Sequence, residues 1–90
     1  MSNKVLVFTL NGCGHCVDLK KELTQREIPF IEIEVSNNQK IWDQVVNQTG
    51  HNILPTIFIK RENTDDGLVY VPGKDFHNTE EAVEIVKKYV

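Results

Sequence analysis

Apolar and polar positions along this chain fall into blocks whose period switches between that of a strand and that of a helix. Val5-Leu6-Val7-Phe8 is a continuous apolar run rich in β-branched residues, and its lack of polar alternation predicts a central strand covered on both faces. Asn11-Gly12-Cys13-Gly14 breaks the run with two glycines. From there Cys16, Val17, Leu19 and Leu23 recur on one side of a helical period of about 3.6 residues as far as Glu27, so an amphipathic helix is predicted to begin at the cysteines. Pro29 closes it. Phe30 to Val35 then alternates, with Ile31, Ile33 and Val35 on one face and Glu32 and Glu34 on the other, which predicts a second strand less buried on one side.

Ser36-Asn37-Asn38 supplies capping residues for a second helix whose apolar stripe is Ile41, Trp42, Val45 and Val46, with Gly50 as its stop. Ile53 to Ile59 reads as a buried strand with Pro55 at its start, where a missing N–H is tolerable. Asp65-Asp66-Gly67 predicts a turn into Leu68-Val69-Tyr70-Val71, so these two strands should pair as an antiparallel hairpin. Asn78-Thr79-Glu80-Glu81 has the form of a capping box, followed by the stripe Ala82, Val83, Val86 and Tyr89, with Lys87-Lys88 complementing the helix C-terminus. The predicted order is βαβαββα. It fits an α/β fold in which a four-stranded mixed sheet is flanked on both faces by three helices, with residues 1–90 forming one domain.

Composition narrows the function. At 40% hydrophobic and 26% charged the chain is globular in character, and ninety residues allow one core and one compact site. The net charge of −3, with Lys and Arg scattered, argues against a nucleic-acid surface and for protein or small-molecule partners. Met1-Ser2-Asn3-Lys4 runs straight into the first apolar block without a signal-peptide core, and no stretch reaches membrane-spanning length. The reading is a soluble, cytoplasmic, monomeric protein with no membrane partner. Two cysteines three residues apart cannot form a network of structural staples; in a reducing compartment they point to redox chemistry or metal binding.

A disulfide is attacked by a thiolate, so a redox cysteine needs an environment that favours its anion. Cys13 is predicted at the N-terminus of the first helix, where unpaired N–H groups and the macrodipole favour negative charge; Cys16, one turn further in, should be more enclosed. Cys13 is therefore assigned the attack and Cys16 the resolution of the mixed disulfide, with no metal in the site. Gly14 is read as permitting the tight backbone. A protonated His15 would favour the Cys13 thiolate and so the reduced form, giving a comparatively oxidising couple.

Phe8-Thr9, Cys13-Gly14-His15-Cys16, Leu54-Pro55-Thr56-Ile57-Phe58-Ile59 and Gly73-Lys74-Asp75 together resemble the glutaredoxin branch of the thioredoxin superfamily over nearly the whole chain. The resemblance implies a thioredoxin-like fold with Pro55 in the cis form. It implies that Leu54 and Pro55 pair with bound peptide or glutathione, and that Gly73, Lys74 and Asp75 hold the γ-glutamyl end of glutathione. Glutathione is implied as co-substrate, with no tightly bound cofactor. The chain departs from the family at three places: Leu10 where many members carry a lysine, Leu54 in place of valine, and Pro72 in place of a glycine. Leu54-Pro55 also resembles the glutaredoxin-like electron donors of ribonucleotide reductase, which thioredoxin reductase reduces, and Cys-Gly-His-Cys matches protein disulfide isomerase sites. The implied activity is thiol–disulfide oxidoreduction on protein or glutathione mixed disulfides, linked to glutathione or thioredoxin reductase.

The alternative of another class is a soft-metal carrier for Cu or Zn, because small metallochaperones also place Cys-x-x-Cys between a strand and a helix. Those modules run βαββαβ, whereas here a helix is predicted between the second and third strands. His51 and His77 read as solvated loop residues, Trp42 as a packing residue, and Lys20 and Lys21 as the wet face of the first helix. Phe76, beside Gly73-Lys74-Asp75, is a candidate substrate contact.

Overall fold

The computed structural model describes residues 3–61 and 67–90. Its elements are β1 (Lys4–Thr9), α1 (Gly14–Gln25), β2 (Ile31–Glu34), a 3-10 turn (Val35–Asn37), α2 (Gln39–Thr49), β3 (Thr56–Lys60), β4 (Gly67–Tyr70) and α3 (Thr79–Lys87). The sheet order is β2-β1-β3-β4, with β1 parallel to β2 and antiparallel to β3, and β3 antiparallel to β4. This is the predicted α/β architecture with a mixed sheet in the order βαβαββα.

The unbroken apolar run of β1 is explained by two cores. Val5 and Val7 join Ile57, Ile59, Leu19, Leu23, Val83 and Val86 on the side of α1 and α3. Phe8, on the opposite face, packs with Val35, Trp42 and Val45 on the side of α2, its ring centroid 5.5 Å from that of Trp42. Fully burying each such side chain contributes about 1.5–3 kcal/mol. The free end of α3 is joined to β4 by the Tyr70–Tyr89 hydroxyl hydrogen bond of 2.5 Å.

Several boundaries differ from the sequence expectation. Trp42 and Val45 gather with Ile33 and Val35 at the C-terminal end of the edge strand β2, so Ile31 at its start is left exposed, and Val35 falls in the 3-10 turn. Val17 and Ile41 are also exposed instead of buried with their helix stripes. β3 starts at Thr56, leaving Ile53, Leu54 and Pro55 as a lead-in, and β4 starts at Gly67 and ends at Tyr70. The turn residues Asp65 and Asp66 lie outside the described residues. Asn38 precedes α2 without a side-chain cap, its Nδ2 donating to the Glu34 carbonyl instead.

At α3 the Asn78 side chain accepts from the Glu81 N–H at 2.8 Å, as a capping box requires, but Glu81 reaches back to the N–H of His77, one residue earlier than the motif predicts. Among the described residues, no helix is long and apolar enough to cross a membrane.

Candidate active site

The site begins where β1 runs out. Leu10 to Cys13 form a turn closed by the Cys13 N–H donating to the Leu10 carbonyl at 3.0 Å, and Gly12, third in that turn, has φ +91°. A side chain there would be strained, so the tight backbone depends on Gly12. Gly14, assigned that task from sequence, is the first residue of α1, and a Cβ added to it would meet nothing within 4 Å.

Cys13 is the N-cap of α1: its backbone is extended (φ −84°, ψ 113°) and its Sγ accepts from the N–H of Cys16 at 3.3 Å. The sulfur thus occupies the place that serine or aspartate oxygens take at other helix starts, facing donors the helix leaves unpaired. It is partly exposed, whereas Cys16 is buried at 1% exposure; both are free thiols. The Cys16 thiol is pushed up to about 12, first by burial and then by its hydrogen bond with Cys13, against a backbone hydrogen bond of Leu10 and the charge of Lys20. One sulfur is presented at the surface and the other is kept protonated behind it.

Beside the cysteines lies a groove of about 270 Å³ lined by His15, Leu54, Pro55, Gly73 and Phe76 among others, with His77 and Asn78 at the side of α3. The Leu54–Pro55 bond is cis, as the resemblance implies, and Thr56 Oγ1 donates to the Ile53 carbonyl at 2.8 Å across it. Ile53 is exposed at the rim. The structure therefore brings His15, Leu54, Pro55, Gly73 and the largely buried Phe76 to one groove and adds His77 to it.

Lys74 and Asp75 are not among the groove's lining. Lys74 faces a separate depression with Thr49 and Phe58. The Asp75 carboxylate accepts from the Val71 N–H at 2.8 Å while its own N–H donates to the Val71 carbonyl at 2.9 Å, so Asp75 closes its own turn.

The active-site turn itself borders a separate polar cleft lined by Leu10, Asn11, Gly12, Val17, Lys20, Glu32 and Glu34. Glu34 Oε1 accepts from the Asn11 N–H at 3.1 Å, and its Oε2 accepts from the Ser36 N–H at 2.9 Å and from the Ser36 hydroxyl. These donors, Ser36 foremost, hold the Glu34 carboxyl below its ordinary range. Glu32 accepts from Lys20 Nζ at 2.8 Å and from the buried Thr9 hydroxyl at 2.7 Å, and Lys20 above all lowers its carboxyl. Sequence reasoning passed over this network. Glu32 and Glu34 alternate like ordinary outward strand residues, and only the β1–β2 register, which pairs Thr9 with Glu34, brings them to the turn.

The element order, with α2 between β2 and β3, differs from that of the metallochaperone alternative. Among the described residues, no group of three or more His, Cys, Asp or Glu side chains is placed to hold a metal ion.

The Glutaredoxin family model matches residues 5–63. The chain is 28% identical over 67 residues to N-acetyl-S-hydroxy-L-cysteine reductase of Bacillus subtilis (strain 168), covering 74% of this chain and 72% of that one. It is 32% identical over 59 residues to Glutaredoxin 1 of Rickettsia bellii, covering 61% of this chain and 60% of that one. In three dimensions it superposes with a TM-score of 0.59 on a buckwheat glutaredoxin–glutathione complex (21% identity, 96% of this chain and 70% of that one). On chloroplastic thioredoxin z the TM-score is 0.62 (24% identity, 97% and 77%). At these identities the structural likeness shows the thioredoxin-like fold, and the family match over more than half of the sequence settles the rest: this chain belongs to the glutaredoxin family of thiol–disulfide oxidoreductases.

Proposed function

We propose that the protein reduces disulfides by a two-step exchange in which Cys13 attacks and Cys16 resolves. The observation that carries this is the contrast between the sulfurs: Cys13 partly exposed at the helix cap, Cys16 buried with its thiol raised to about 12. In the first step the Cys13 thiolate bonds to one sulfur of the substrate disulfide, and the other leaves as a thiolate that takes up a proton. In the second, Cys16 loses its proton and bonds to Cys13, releasing the remaining substrate sulfur. The substrate is reduced and the protein dithiol becomes a disulfide.

The adjoining groove, with Leu54, Pro55 and Gly73 in its wall, is the place for the substrate chain flanking the attacked sulfur. Glutathione is the proposed reductant that returns the dithiol, in a reducing compartment such as the cytoplasm, and protein or glutathione mixed disulfides are the proposed substrates. A second reading is supported by the Bacillus relative: reduction of a small sulfenic acid, in which Cys13 displaces water from the substrate sulfur to form the same mixed disulfide. Leu10, an exposed apolar residue beside the turn, suits substrates with fewer carboxylates than glutathione.

The test is turnover of bis(2-hydroxyethyl) disulfide with glutathione and glutathione reductase, beside turnover with thioredoxin reductase alone and with N-acetyl-S-hydroxycysteine as substrate. Turnover with glutathione is expected. Turnover only with thioredoxin reductase would move the protein to the ribonucleotide-reductase-donor type, and activity in no arm would overturn the proposal.

A further inference from the structure

In the resolving step the attacking sulfur comes from inside the protein, since Cys16 is 1% exposed. In the reduced form two of the influences that keep its thiol protonated, a hydrogen bond and a charge interaction, come from Cys13. The charge interaction vanishes and the hydrogen bond weakens once Cys13 is tied up in a mixed disulfide. Burial then acts against the Leu10 backbone hydrogen bond and the ammonium group of Lys20.

Lys20 lies one turn beyond Cys16 on α1, on the same side of the helix. Its Nζ is tethered 2.8 Å from Glu32 Oε2, and that oxygen also accepts from Thr9 Oγ1 at 2.7 Å. Thr9 is 1% exposed, so the carboxylate is anchored to the middle of the sheet. A lysine loose in solvent is averaged over many rotamers and screened; one held at a fixed point keeps its charge in place. The other charged groups near it are Glu32, which offsets part of its field, and Glu34, whose oxygens are occupied by Asn11 and Ser36.

We infer that Lys20, held by Glu32 and Thr9, supplies the positive charge against which the Cys16 sulfur becomes a nucleophile when the mixed disulfide is resolved. This rests on the proposed exchange in which Cys16 resolves. The proton leaves Cys16 Sγ for solvent, the Cys16–Cys13 bond forms as the Cys13–substrate bond breaks, and the departing thiolate is protonated. Lys20 neither gives nor takes a proton. It acts through Cys16, and Glu32 and Thr9 are positioning residues.

The test mixes reduced wild type, Lys20→Met and Lys20→Arg with bis(2-hydroxyethyl) disulfide, whose neutrality prevents Lys20 from acting on the substrate itself. Acid quenching and mass spectrometry follow the rise and decay of the Cys13 adduct. Lys20→Met should leave the rise unchanged, slow the decay roughly three- to tenfold and move the midpoint of its pH profile upward. Lys20→Arg should keep the wild-type decay. Unchanged decay and midpoint in Lys20→Met would overturn the inference, as would equal slowing of rise and decay, which would indicate a role in docking or folding. If Cys16→Ser, which cannot resolve the adduct, formed no mixed disulfide on Cys13, the proposed exchange itself would fail, and the inference with it.

Discussion

At Cys16 burial and the neighbouring Cys13 push the thiol from its ordinary 9.0 up to about 12. The folded protein therefore keeps a proton that the unfolded chain has already lost between these values. The resulting stabilisation is complete below pH 9, declines as pH rises and is gone above about 12. Tyr70, raised from 10.0 to about 12 by burial and by Tyr89, adds a component that starts to fail one pH unit later. Denaturation of the reduced protein at a series of alkaline pH values should show the decline from pH 9, and Cys16→Ser should delay its onset to about pH 10. Identical curves would contradict the account of Cys16. At His15 the prediction concerns potential. His15 stands between the two cysteines in the chain, where a positive charge would favour the dithiol, so a glutathione titration should place the couple above about −270 mV, in the range of about −180 to −230 mV, and His15→Ala should lower it. A value at or below the thioredoxin figure would contradict this.

At residue scale the sequence was legible where chemistry depends on chain neighbours and opaque where it depends on closure in space. The asymmetry of Cys13 and Cys16 follows from one helical turn and could be read directly. Lys20 looked like a solvated residue because its partner Glu32 is brought to it only by β1–β2 pairing. Nor did the sequence show the local role of Asp75, whose Oδ2 accepts from the Val71 N–H within the same turn.

The elements carry their own conflict between local preference and fold. α1 ends in a Schellman arrangement, with the Ile28 N–H donating to the Leu23 carbonyl at 2.9 Å and the Glu27 N–H to Thr24 at 3.1 Å. The residue that must be left-handed there is Glu27, at φ +57°, where glycine is the usual choice. Ile28 and Leu23 are both buried and fix the exit of the helix, so the fold tolerates the strain. Glu27→Gly should raise unfolding free energy by about 1 kcal/mol, read from the denaturant midpoint at unchanged slope. A loss of stability would contradict the assignment of strain. Nothing in the composition around Glu27 signals this, whereas Gly50, at φ +74°, ends α2 as its sequence predicts.

Across the whole molecule, the two-faced burial of β1 and β3 was the most readable feature, because a strand without alternation has no face to give to water. The edges were less readable: β2 has β1 on one side only, and its first residue stays exposed despite a regular pattern. The fold forms two separate surfaces near the start of α1. One is the apolar groove along Leu54 and Pro55; the other is the polar cleft of Lys20, Glu32 and Glu34. Cys13 stands at the helix cap with Cys16 buried behind it, and the account stands or falls on that division of labour. Its most direct test is to mix Cys16→Ser and Cys13→Ser proteins with a disulfide substrate and map the adducts by mass spectrometry. The account predicts a stable mixed disulfide on Cys13 in Cys16→Ser and no turnover in Cys13→Ser. An adduct on Cys16, or full activity without Cys13, would contradict it.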